Sequence, residues 1–231
     1  MTKKPAILLL CALVSLVTSG ATHTDSLARP SLAPEPTGTI SGRITLEPPP
    51  PPRRSANRYA GAPARSHAVQ IIPAVVYLKG SIPGDPPAGY VAQPDMMQSD
   101  TAFAPSVVAV GVGGTVVFPN MDPFFHNVFS YSSAKRFDLG RYPQGESKEV
   151  VFDESGIIQV FCEVHDFMRG AILVTENPYH ATVDENGDFS IDGVPPGEYT
   201  LVAWQPDHDE LERTVTVTDG GNTRVEVELR R

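Results

Sequence analysis

The sequence is nearly without cysteine: only Cys11 and Cys162 occur in 231 residues. Cys11 lies in an apolar run, residues 6–17, preceded by Lys3 and Lys4 and followed by the small residues Ser19, Gly20 and Ala21. That is the layout of a secretory leader, residues 1–21, and Cys11 is expected to leave with it. A mature chain with one thiol cannot close an internal disulfide, which excludes a disulfide-stapled fold. No other apolar run approaches the roughly 20 residues of a membrane-spanning helix, so no integral membrane segment is expected once the leader is gone. Positive charge is short as well. Lys and Arg number 18 against 27 Asp and Glu, giving −9, and loss of Lys3 and Lys4 makes it −11. Such a chain is a poor nucleic-acid binder and favours partners with a positive face. Export and a lone thiol lead to the expectation of a periplasmic or secreted protein.

What is present is strand. Residues 22–37 are rich in Ser, Pro and Ala and read as a flexible lead-in. Residues 39–46 alternate with period two, as a half-buried strand does. The proline run 48–52 cannot join a sheet, and 53–67 reads as a surface loop. Residues 71–78 are apolar and β-branched, and 81–87 turn. Further strands are expected at 106–112, 115–118, 126–130, 148–152, 157–162 and 169–175, with Gly113-Gly114 as a hairpin-like turn. No amphipathic helix is evident there. The tail, 178–231, alternates in the same way, with Asn186-Gly187 as a hairpin signal between 181–183 and 188–191. Many short strands with Gly and Pro turns give an all-β chain of sandwiches or barrels.

The remaining cysteine stands in Cys162-Glu163-Val164-His165-Asp166-Phe167-Met168. A second histidine stands upstream in Phe124-Phe125-His126-Asn127-Val128. Two imidazoles, one thiolate and one weak thioether form the donor set of a blue-copper electron-transfer site. The metal ligands are therefore expected to be His126, Cys162, His165 and Met168, with copper as the cofactor. Phe124, Phe125 and Phe167 read as an apolar collar around the site or as ordinary core.

The run Thr115-Val116-Val117-Phe118-Pro119-Asn120-Met121-Asp122, followed by His126-Asn127-Val128, resembles the first-histidine strand of plastocyanin-like cupredoxins. The Cys-x-x-His-x-x-Met loop, continuing through Arg169-Gly170 into a β-branched strand, is similar to the amicyanin type. The resemblance covers residues 90–176 and implies an eight-stranded Greek-key β-sandwich with copper at one end. It also implies that Asn127 ties the two ligand loops together behind the metal, its backbone N–H meeting the sulfur. Amicyanin-type loops carry prolines beside the second histidine, where this chain has Val164 and Asp166. Glu163 and Asp166 put carboxylates near His165, which should favour Cu(II) and lower the potential.

Val183-Asp184-Glu185-Asn186-Gly187-Asp188-Phe189 and Val194-Pro195-Pro196-Gly197-Glu198-Tyr199-Thr200-Leu201 resemble the carboxypeptidase regulatory-like domain, a transthyretin-like β-sandwich. That family opens with strands like Ile40-Ser41-Gly42-Arg43-Ile44 and Ala74-Val75-Val76-Tyr77-Leu78. The expected organisation is thus residues 38–88 and 178–231 as one sandwich, with a cupredoxin domain, 89–177, inserted between its strands.

His180 and His208 lack ligand-like neighbours and read as surface residues. His23 would bind Cu(II) only beside a free amine after cleavage at residue 20. Asp184-Glu185-Asn186-Gly187-Asp188 lacks calcium-loop spacing and reads as a turn. No catalytic triad or carboxylate pair is visible, so the chain is expected to be no enzyme but an exported electron carrier with redox-protein partners. Copper delivery, or a scaffold with a silent copper fold, are the alternatives.

Overall fold

A computed structural model describes residues 36–48, 73–82, 86 and 90–231. They fall in one unit, Glu35–Arg231. The leader, His23, the loop 53–67 and most of the lead-in and proline run lie outside the described residues. The strands are β1 (Gly38–Leu46), β2 (Val75–Leu78), β3 (Met97–Ser99), β4 (Ala102–Ala104), β5 (Val107–Gly111), β6 (Thr115–Pro119), β7 (Phe129–Tyr131) and β8 (Arg136–Asp138). They continue as β9 (Ser147–Val151), β10 (Gly156–Phe161), β11 (Arg169–Thr175), β12 (His180–Thr182), β13 (Asp188–Val194), β14 (Gly197–Trp204), β15 (Leu211–Val217) and β16 (Asn222–Leu229). The fold is all-β.

The first two strands pair with the last five. β1 lies between β13 and β16 in one sheet, and β2 lies between β12 and β14, with β15 outside, in another. Alternation in β1 turns Ile40 and Ile44 inward, against Val76 and Leu78 of β2 and Phe189, Leu201 and Leu229. Gly42 has a specific reason to be glycine: a Cβ there would lie 1.8 Å from the Val225 carbonyl oxygen across the parallel β1–β16 pairing.

Between these strands the chain builds its other sheets. β5, β11, β10, β7 and β8 form one, β6 pairs with β9, and β3 with β4. The space between them is filled by Phe103, Phe118, Val128, Phe152, Ile158, Val160 and Ile172. Nine strands, β3 to β11, stand where the resemblance implied eight, and β3 and β4 among them form a short hairpin. Its two-residue turn, Asp100-Thr101, has φ of 54° and 59°, a primed-turn geometry that usually calls for Asn-Gly and that the residue types therefore do not announce.

Two expected hairpins do not form. The chain turns at Gly113-Gly114, but β5 pairs with β11 and β6 with β9. It turns again at Asn186-Gly187, where Asp184 Oδ1 accepts the N–H groups of Asn186 and Asp188, yet β12 pairs with β2 and β13 with β1. In both places the turn carries the chain from one layer to the other. The strand expected at 126–130 is shorter, starting at Phe129; His126 makes only an isolated bridge to Tyr142.

The two sandwiches share an apolar seam. Val107, Ala109, Ala171 and Leu173, on the outer face of β5 and β11, pack against Val75 and Trp204. The passage from β11 to β12 is fixed by the buried Asn177. Its Nδ2 donates to the carbonyls of Leu78 (2.6 Å) and Gly80 (2.7 Å), and its Oδ1 accepts the Tyr179 N–H.

His180 and His208, expected at the surface, are partly buried. His208 joins Gln205 Oε1 to the Glu47 carbonyl. His180 stacks edge-on to Tyr90, and its buried Nε2 has no hydrogen-bond partner. Burial lowers its pKa from 6.5 to about 4. The unfolded chain therefore takes up a proton that the folded chain refuses. Stability is unaffected above the unfolded pKa and falls as pH drops from about 6.5 towards 4, by on the order of 3 kcal/mol. Denaturant titrations at pH 7.5 and 4.5 should show a smaller acid loss in His180→Phe than in the parent; equal losses would contradict this.

Candidate metal centre

Period-two alternation in β10 turns Ile158 and Val160 inward, and continuing it by one step past Phe161 delivers Cys162 to the core, 3% exposed. The chain then loops over the end of the sandwich. A Met168 N–H to His165 carbonyl bond of 3.0 Å closes the loop, and β11 begins at Arg169. His126 arrives from the loop between β6 and β7, the strand next to β10. Asn120 shapes that loop: its Nδ2 donates to the carbonyls of Phe124 (2.9 Å) and Tyr142 (3.0 Å), and its Oδ1 accepts the Asp122 N–H. Paired backbone bonds between His126 and Tyr142 hold the imidazole in register.

These elements bring together His126, Cys162 and His165, one ligand atom of each lying within 4.8 Å of the others. His126 Nδ1 is 3.5 Å from Cys162 Sγ and 3.2 Å from His165 Nδ1. His126 is fully buried, and His165 reaches partly to solvent. Met168 is 1% exposed in the same core cluster as Cys162. Burial, and secondarily the neighbouring His126, lower the His165 pKa, which favours the neutral form that binds metal. Among the described residues this is the only His/Cys/Asp/Glu group with such geometry. One thiolate and two imidazoles fit copper: sulfur suits Cu(I), and imidazole also suits Cu(II).

Asn127 is buried, and its Oδ1 accepts the Glu163 N–H at 2.6 Å, joining the His126 loop to the Cys162 loop. Asp122, for which sequence reasoning found no role, is more deeply involved. Its Oδ2 lies 2.8 Å from His126 Nε2, and its two oxygens accept the N–H groups of Asp100 (2.8 Å) and Thr101 (2.9 Å). Burial alone would raise this carboxyl; the Thr101 N–H, His126 and the Asp100 N–H outweigh it and hold the pKa below the ordinary range. Its spacing of four before His126 was the only available signal.

The three phenylalanines are not core. Phe124, Phe125 and Phe167 are 42%, 56% and 51% exposed. Phe124 and Phe167 lie against the His165 ring, at 5.6 and 5.8 Å between centroids. The negative charge expected beside His165 is partly offset, because Glu163 pairs with Arg141 at 3.3 Å.

Residues 92–175 match the family of copper binding proteins of the plastocyanin/azurin type, and residues 169–230 match the carboxypeptidase regulatory-like domain. The overlap, 169–175, is β11, which pairs with β5 and β10. No curated protein matches the chain. Solved structures with similarity include a copper-containing nitrite reductase from Thermus scotoductus SA-01, 26% identical, TM-score 0.34, covering 36% of this chain. This chain spans only 22% of that enzyme. A single-site mutant of amicyanin in its Cu(I) form is 22% identical, TM-score 0.34, covering 41% of this chain and 96% of its own. A purple cupredoxin from Nitrosopumilus maritimus is 26% identical, TM-score 0.31, covering 39% and 94%. The family matches and the donor cluster, not these overall scores, carry the assignment. Over residues 92–175 the chain is similar to copper binding proteins of plastocyanin/azurin type, and over residues 169–230 to the carboxypeptidase regulatory-like domain.

Proposed function

We propose that this protein is an exported electron carrier with a type 1 copper site, which His126, Cys162 and His165 would hold with Met168 as a weak fourth donor. The observation that carries the reading is the buried thiol–imidazole cluster, from which one ring, His165, reaches an exposed apolar collar. Bound copper supplies a one-electron couple. The chain's residues do the rest. Cys162 and His126, carried just beyond the paired ends of β10 and β7 in one sheet, resist reorganisation when charge changes. Asn127 locks the two loops against each other. Phe124 and Phe167, packed against the His165 ring, shield its edge from water and offer a partner a surface that desolvates easily.

A carrier needs one redox centre and one contact face, and both lie at this end of the molecule. The partners are redox proteins. The net charge of −11 after leader loss favours those with a positive face around their docking surface. The leader-like N-terminus supports a periplasmic or secreted location. The regulatory-like sandwich serves spacing or docking.

The test is electron exchange between Cu(I) and Cu(II) forms, measured by NMR line broadening, in the parent and in Phe167→Glu. A charge in the collar should slow exchange about tenfold or more, while the visible spectrum stays the same. An unchanged rate would move the exit away from His165. A protein that holds Cu(I) and exchanges no electrons would point to copper delivery.

A further inference from the structure

We propose that Asp122 is a positioning residue that builds the metal cavity before metal arrives, by fixing the tautomer of His126. The inference rests on the copper reading above and extends it to a residue that binds no metal. The chain of contacts begins in the turn between β3 and β4. Asp100 and Thr101 sit at φ of 54° and 59°, conformations that cost a non-glycine residue about 1–2 kcal/mol each. For β-branched Thr101 such a φ is an outlier that persists only where surroundings impose it. What it achieves is visible: two successive N–H groups point at one carboxylate, each to its own oxygen, at 2.8 and 2.9 Å.

That carboxylate is thereby held in one orientation, with Oδ2 on His126 Nε2 at 2.8 Å. An ionised carboxylate can only accept, so the imidazole hydrogen resides on Nε2. Nδ1 then carries a lone pair, and Nδ1 is the atom facing Cys162 Sγ and His165 Nδ1. Asp122 is 6% exposed and His126 is fully buried, so water does not compete for the bond. Without this contact the buried ring could place its hydrogen on Nδ1, towards the thiol, and the metal would have to displace it. A carboxylate behind a ligand imidazole also raises ligand basicity and favours the more highly charged metal ion.

Two measurements decide the matter. The first needs no copper: 15N NMR of the metal-free protein should show His126 with hydrogen on Nε2. Hydrogen on Nδ1 would overturn the proposal whether or not the protein binds copper. The second compares Asp122→Asn and Asp122→Ala with the parent, after thermal unfolding has established that each metal-free variant is folded. Asp122→Ala should bind Cu(II) about 10–100-fold more weakly. In Asp122→Asn the amide oxygen can still accept from His126 while the charge is gone. Cu(II) affinity should then fall roughly tenfold more than Cu(I) affinity, a rise in potential of about 59 mV for one electron. A generally loosened fold would weaken both oxidation states alike. Equal losses, or variants with unchanged affinity and unchanged visible and paramagnetic spectra, would overturn the proposal. A parent protein that binds no copper would remove the copper reading and leave the tautomer measurement standing.

Discussion

Cys162→Ser should abolish the intense visible band of the Cu(II) protein and weaken Cu(I) binding by more than about 100-fold, beyond what groups behind the ligands cost. The thiolate is the only soft anionic donor in the cluster, and an alkoxide is not available near neutral pH to replace it. The variant should still fold. Cys162 is 3% exposed among apolar neighbours, so the introduced hydroxyl costs about 1–3 kcal/mol if unpaired, a fraction of a domain's stability. Visible absorption at matched copper loading reads the first effect, and denaturant unfolding of the metal-free variant reads the second. A serine variant that kept the band would place the colour elsewhere and remove Cys162 from the site.

The second large effect concerns the fold. A fragment of residues 178–231, expressed alone, should show no cooperative unfolding transition. It retains β12 to β16 but lacks the two strands that join them. β1 separates β13 from β16 along eight registered pairs with β16, and β2 separates β12 from β14. With them go Ile40, Ile44, Ala74, Val76 and Leu78 from the core. Each large aliphatic side chain contributes about 1.5–3 kcal/mol on burial, so the four of them outweigh much of the roughly 5–15 kcal/mol by which whole domains are stable. Circular dichroism and urea titration would decide this. A stable fragment with a sharp transition would show that the tail is a domain by itself, and that β1 and β2 are accessories.

The candidate ligands were legible because their information is local. Cys162, His165 and Met168 lie in one seven-residue loop, and His126 is marked by its neighbours. Asn127 was accessible through resemblance, and its bond to Glu163 is of the kind implied there. Asp122 was not, since its role depends on a turn whose geometry Asp100-Thr101 does not advertise. Arg141 beside Glu163 comes from a distant segment that only the folded chain brings there. Strand identity was largely readable from period-two alternation, but strand partners were not. Turn chemistry at Gly113-Gly114 and Asn186-Gly187 says that the chain reverses; it does not say which layer receives the next strand. The burial of His180 likewise follows from packing beside Tyr90, which one histidine between short strands cannot signal.

The central claim is that Cys162, His126, His165 and Met168 form a type 1 copper site. The most direct measurement is to add Cu(II) to the purified mature protein and record its visible absorption and electron paramagnetic resonance spectra. An intense thiolate-to-copper charge-transfer band with narrow hyperfine splitting is the predicted result. A colourless protein that holds only Cu(I), or no copper at all, would contradict it.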